Sequence, residues 1–267
     1  MASFSVVSNI ASANAQANLN TTNIGLQRAL TRLSSGFRIN YAGDDAAGLS
    51  VANGYRNEVA VFNQGVRNAN DGLSGLQIKD GALSNIGTLL DRLATLAAQA
   101  ASGETTSASR TTLNAEFSDV LAEIDREATV AGLNTAGGFS VFVSNSGTNG
   151  IISGTISRAD ATGLSINSQT ITSDTLAQSA VVAIASAVTL LGTAQSKVGT
   201  LQNQLQFAIS LAQSQIVNTR AAESRIRDAN VAEESANLTR FNILNQSGIA
   251  TLSQANQQSA AVLALLR

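Results

Sequence analysis

Four residue types are missing from this 267-residue chain: there is no Cys, no His, no Trp and no Pro, and there is one Met. Without His or Cys, the usual general base, the thiol nucleophile and the common zinc ligands are gone. Any chemistry would fall to Asp, Glu, Lys, Ser or Tyr. No disulfide can form, as in a reducing cytosol or in a chain that must pass a narrow export channel unfolded. The absence of Pro leaves long helices free to run, because Pro breaks helix interiors. Charge is scarce too: 16 basic and 18 acidic residues leave a formal net charge of -2, with no basic footprint for nucleic acid. The first charged side chain is Arg28 and Met1–Asn20 has no unbroken apolar core, so a secretory signal peptide is not expected. The most apolar stretch, Ala180–Leu191, contains Ser186 and Thr189 and is too short to span a bilayer.

What is present is periodicity. Ala52, Tyr55, Val59, Phe62, Val66, Ala69, Leu73 and Leu76 alternate in steps of three and four, the a/d seam of a coiled coil. After a phase slip near Asp80 a second stripe follows Leu83, Ile86, Leu90, Leu93, Ala97 and Ala100. A third takes Ile184, Ala187, Leu191, Ala194, Val198, Leu201, Leu205, Ala208 and Ala212, a helix of about 44 Å. A shorter helix between Gly103 and Gly132 carries Leu113, Phe117, Val120, Ile124 and Ala128 on one face.

Between residues 137 and 172 Gly, Ser, Thr and Asn dominate, and Phe139, Val141 and Val143 alternate with their neighbours. The expectation is one or two short hairpins with Asn149-Gly150 as a turn. Residues 144–165, polar and without a stripe, are expected to face solvent and tolerate deletion. The whole reads as mainly α: a long-helix coiled-coil bundle with a small β-hairpin region at its tip, both termini helical and paired.

The termini are unusual. Residues 1–43 hold Arg28, Arg32 and Arg38 but no acid, and residues 241–266 hold no charge at all. The N-terminal stripe Leu19, Leu26, Leu30, Leu33 and Phe37 and the C-terminal one, Leu238, Phe241, Leu252, Val262 and Leu266, suit each other and further copies of the chain, because helices so poor in charge do not suit water. These ten residues are the candidate self-assembly set. No catalytic, cofactor or metal-ligand constellation accompanies them. Asp44-Asp45 reads as acidic residues at a helix start rather than a catalytic pair, and Gly72 and Gly75 belong to no dinucleotide fingerprint.

Several motifs carry a resemblance. Arg32-Leu-Ser-Ser-Gly-Phe-Arg-Ile-Asn40, Gly43-Asp-Asp-Ala-Ala-Gly48, Arg67-Asn-Ala-Asn-Asp-Gly72 and Glu123-Ile-Asp-Arg126 resemble the N-terminal region of bacterial flagellins. Ala222-Glu-Ser-Arg-Ile-Arg-Asp-Ala229, Gln254-Ala-Asn-Gln257 and Leu263-Ala-Leu-Leu-Arg267 resemble the C-terminal region. One departure is that Gln258, Ser259 and Ala260 stand where the family commonly has a Pro. The other is a middle too short for large outer domains. The resemblance implies a structural, non-enzymatic subunit of the extracellular flagellar filament that serves swimming. Residues 1–43 and 221–267 would form the inner core, residues 44–220 the coiled-coil rod, with a variable segment at about 137–175. It also implies type III export without a cleaved leader, and as partners an export chaperone, the filament cap protein and the hook–filament junction proteins. Arg92, Leu96, Gln99 and Glu116 match residues through which a Toll-like receptor senses many flagellins, although Thr95 and Val120 depart from that pattern. A hook–filament junction protein and a signalling helical hairpin are the alternatives. The hairpin would need Glu-rich faces and a tight turn that this sequence lacks.

Overall fold

A computed structural model describes residues 9–265, with side chains through residue 257. The elements are α1 (Ile10–Ser35), α2 (Ala46–Ala100), α3 (Ser107–Val130), β1 (Gly137–Phe142), β2 (Ile151–Ile156), α4 (Asp174–Arg227) and α5 (Val231–Leu265). The chain divides into two compact units, one of residues up to 57 and from 219 onward, the other of residues 58–218. Helices α2 and α4 contribute residues to both.

Helix ends follow local chemistry. The Asn9 side chain accepts the Ser12 N–H at 3.0 Å and opens α1, which stops at Gly36 with φ of 74°. Glycine fits there because other residues are strained in the left-handed region. Asp45 caps α2 by accepting the Gly48 N–H at 2.9 Å, while Asp44 accepts the Asn40 N–H at 3.1 Å. Asp45 is therefore a helix cap, and Asp44 holds the turn that leads into the helix. Thr106 opens α3. At its far end the Lys79 ammonium donates to the carbonyls of Ala131 and Gly132, both at 3.0 Å, satisfying acceptors that a helix terminus leaves free. Burial lowers the Lys79 pKa.

In the 58–218 unit most of the three stripes joins one core, while Val59 and Phe62 form a second, smaller cluster with Ile216. From α2, Leu76, Leu83, Ile86, Leu90 and Leu93 are fully buried, from α3 Phe117, Ile124 and Ala128, and from α4 Val198, Leu201 and Leu205. Helix α2 continues unbroken past Asp80, with Ala82 and Leu83 both buried at the slip. The phase change is thus absorbed inside the helix. The most apolar 18 residues of α4 average a hydropathy of 1.7, and the helix is long enough to cross a bilayer by length and composition alone. Ala180–Leu191 is therefore part of a longer apolar helix than the sequence suggested.

Strands β1 and β2 form one antiparallel hairpin, Gly137 opposite Ile156 and Phe142 opposite Ile151. It lies on α2 where the helix carries glycine. A Cβ at Gly65 would sit 1.7 Å from the Val143 carbonyl oxygen, and one at Gly72 would sit 2.7 Å from Val141. Asn149-Gly150 does not form a two-residue turn. The pair ends a 3-10 turn, and Gly150 is required because a Cβ there would lie 1.9 Å from the Ser144 oxygen.

The expectation that residues 144–165 face solvent fails for their second half. Ile156, Ala159, Ala161 and Leu164 are buried, as are Ile166 and Ile171 just beyond. Side chains of α3 hold this segment: Asp125 accepts the Ala161 N–H at 2.7 Å and Asn114 accepts the Ile171 N–H at 2.9 Å. These bonds satisfy buried backbone donors that no sheet or helix serves. Arg158 and Asp160 form a two-bond ion pair, and Asp160 also accepts the Gly163 N–H at 3.0 Å. Burial pushes the Asp160 carboxyl up, but the bonds from Arg158 and Gly163 together hold it below the ordinary value.

Candidate assembly surface

The other unit is built around α1 and α5, which pack along one another in opposite directions. Near one end Asn9 donates to the Ala255 carbonyl at 2.9 Å and Ser12 to Asn256 at 2.8 Å. In the middle the Asn245 amide donates to the Asn23 carbonyl oxygen. Toward the other end Arg32 bonds Glu234 at 3.0 Å, and Glu234 is buried. Two glycines bring the helices close: Gly25 lies beneath the Phe241 ring and Gly248 beneath Leu19, where a Cβ would come within 2.6 and 3.1 Å of those side chains.

The two resembling motifs, 32–40 and 222–229, meet beside this pair. Phe37 and Asp228 form an isolated β-bridge. The Arg38 N–H donates to the Arg227 carbonyl at 2.7 Å, and the Ala229 N–H to the Gly36 carbonyl at 2.9 Å. The Arg227 guanidinium stacks over the Phe37 ring at 4.2 Å, a cation–π contact that also shields the ring. Sequence reasoning found both motifs but not that they clasp each other. The pairing of their backbones is non-local, and no side-chain pattern encodes it.

Of the candidate self-assembly residues, Leu19, Leu26, Leu33, Phe37, Leu238, Phe241 and Leu252 are half-buried, and Leu30 is 49% exposed. Leu266 and the side chain of Val262 lie outside the described residues. The stripes cover each other only in part. Sequence reasoning missed a second set, apolar and off the heptad frame: Ile10, Ile24, Ile243, Leu244 and Ile249 are between 47% and 64% exposed. Their signal was available, because an apolar residue outside the stripe of an uncharged helix has no water-facing reason to be there. Single exposed apolar residues are ordinary. A set of them on one helix pair is the kind of surface on which an interaction can be sought.

Around α2 and α3 the four receptor candidates separate. Arg92 and Gln99 are exposed and Glu116 is partly so, with Arg92 Nε donating to Glu116 at 2.8 Å, whereas Leu96 is 2% exposed and belongs to the core.

Helices that bundle around one core, with a terminal pair left half-covered and apolar outside, define a structural subunit made to associate. Comparison with known proteins specifies which. Residues 6–138 match the bacterial flagellin N-terminal helical region, and residues 181–266 match the bacterial flagellin C-terminal helical region. A flagellin of Halalkalibacterium halodurans is 37% identical over 97% of this chain and 98% of its own. The flagellar filament 33 kDa core protein of Treponema phagedenis is 32% identical over 95% and 96%, and a flagellin of Bacillus subtilis is 32% identical over 97% and 98%. The chain belongs to the bacterial flagellin family. It is a structural filament subunit that serves motility.

Proposed function

We propose that the terminal helices α1 and α5 are the module that builds the inner wall of the filament, with residues 44–220 forming the layer around it. The observation that carries this reading is the half-covered seam: paired with each other, α1 and α5 still present Ile10, Ile24, Leu30, Ile243, Leu244 and Ile249 to solvent. Ordering a residue costs about 1–2 kcal/mol of backbone entropy, and a helix pair that buries this little cannot offset the cost alone. In the free subunit the two helices are then largely unfolded, and they order against neighbouring subunits. Folding is thereby tied to polymerisation.

The same uncovered α5 surface suits an export chaperone, which would keep subunits apart in the cytosol. The absence of Cys suits passage of an unfolded chain through the flagellar export channel. The distal cap and the hook–filament junction proteins would meet the same terminal helices at the two ends of the filament. Arg92, Gln99 and Glu116 would be the accessible part of a Toll-like receptor epitope, with Leu96 supporting them from the core.

Limited proteolysis of subunit and filament side by side tests the reading. The free subunit should lose both ends quickly and leave a helical core near 44–220 that stays folded and cannot polymerise. The filament should resist cleavage at both ends. A trimmed core that still forms filaments under the electron microscope would overturn it.

A further inference from the structure

The apolar contacts between α1 and α5 do not by themselves fix how the two helices are aligned. Leu19, Leu26 and Leu33 repeat every seven residues, and so do Leu238, Asn245 and Leu252. A slide of one heptad returns leucine to leucine-like surroundings almost everywhere. The exceptions are polar: at one end the Arg32–Glu234 pair and the backbone clasp of Gly36 and Arg38 on Arg227 and Ala229, and in the middle of the seam the Asn23 and Asn245 amides, which bond each other while the Phe241 ring rests on Gly25. Both amides are half-buried. After a slide in one direction Asn23 faces Leu252 and Asn245 faces Leu30. After a slide in the other, Asn23 faces Leu238. Either way an amide is desolvated against a leucine, and its lost bond is not replaced.

We propose that Asn23 and Asn245, acting along the middle of the seam with the Arg32–Glu234 pair at its end, set the register of α1 on α5, as buried polar layers set register in a coiled coil at some cost in stability. The amide pair thus decides which outward apolar residues of the two helices fall side by side, and so which surface the next subunit meets. A slipped pair presents a different surface and extends the lattice less well. This inference rests on α1 and α5 being paired in the filament, as under the proposed function.

The chain has no cysteine, so an introduced pair reports alignment without competition. A Cβ at residue 248 lies 3.9 Å from the Leu19 Cβ, inside the span of about 3.5–4.5 Å that a disulfide needs. Leu19→Cys with Gly248→Cys therefore reports the native register. Leu19→Cys with Ala255→Cys, and Ser12→Cys with Gly248→Cys, report slides of one heptad in the two directions. Each pair is oxidised in full-length filaments, with and without Asn23→Leu plus Asn245→Leu. Where the leucine variant does not polymerise alone, it is read as a minor component co-assembled on seeds with unmodified subunits. The native reporter should dominate when the asparagines are present. The leucine pair should raise the slipped cross-links on the order of tenfold, the shift expected when one hydrogen-bonded layer is lost. Leucine variants that cross-link only in the native register would overturn the proposal. If the native reporter fails to cross-link in filaments that retain both asparagines, the pairing of α1 with α5 in the filament is wrong, whatever sets its register.

Discussion

The two units of this molecule use the same heptad grammar and reach opposite results. In the 58–218 unit the stripes of α2 and α4 are roofed by α3, by the hairpin and by the segment after it, and Leu83, Leu90, Phe117, Ile124 and Leu201 are all fully buried. In the terminal unit α1 has α5 and little else, and the buried apolar residues among those described are Ala29, Ile39 and Ala52. A stripe on a helix states only that a partner is needed. Whether the partner sits in the same chain depends on how many other elements can reach it. The 58–218 unit has enough of them to bury its stripes within the chain, and under the proposed function the terminal unit finds the rest in other subunits.

Substitutions can set the two units against each other. The largest effect belongs to Leu201→Asp, which places a carboxylate in the buried α4 seam. Thermal melting of the free subunit should show a loss on the order of 3–5 kcal/mol, as for other uncompensated buried charges. The matching change in the terminal unit, Leu238→Asp, should leave that melt almost unmoved and abolish filament growth from seeds. Equal melting losses at the two sites would erase the distinction between the units.

Glycine contacts give a pair of opposite signs inside one helix. Gly65→Ala forces a methyl group against the Val143 carbonyl and should cost about 1–3 kcal/mol by overpacking. Gly75, ten residues on, has open space around it. Gly75→Ala should stabilise the free subunit by about 0.5–1 kcal/mol through helix propensity. Chemical denaturation of the two variants reads both signs.

Acid sensitivity gives a smaller effect in the same unit. The folded Asp160 carboxyl lies below its ordinary pKa. Its contribution is therefore complete above the unfolded value and disappears as pH falls through the folded one. Asp160→Asn should lower stability at neutral pH and flatten the acid limb of the stability curve. An unchanged acid limb would show that the Arg158–Asp160 pair does not hold the buried segment. Smallest of all, Arg92→Ala breaks an ion pair whose two side chains are 54% and 44% exposed. It should change the melt by no more than about 0.5 kcal/mol, because solvent screens such pairs.

Much of this was legible in the sequence. Every residue assigned to the three long stripes is buried or half-buried, because a sustained heptad repeat has one reading. The helix sought between Gly103 and Gly132 runs from Ser107 to Val130. The region after the hairpin was misread for a physical reason. Ala159, Ala161, Leu164, Ile166 and Ile171 follow neither the strand nor the helix period, so no periodic test registers them. What pins them, Asp125 on Ala161 and Asn114 on Ile171, is contact between residues far apart in the chain. The hairpin seat was missed likewise. Gly65 and Gly72 stand one heptad apart in α2, yet only the structure shows what lies on them. In the terminal unit the stripes were plain, but Ile24, Ile243 and Ile249 were passed over for lying off the frame.

Amide hydrogen exchange resolved by segment, on the free subunit and on filaments, tests the central claim most directly. In the free subunit the amides of α1 and α5 should exchange almost as fast as in an unfolded chain, while those of α2, α3 and α4 within residues 58–218 are protected. In filaments the terminal helices should become at least as protected as that core. Strong protection of α1 and α5 in the free subunit would contradict the account, because their folding would then owe nothing to assembly.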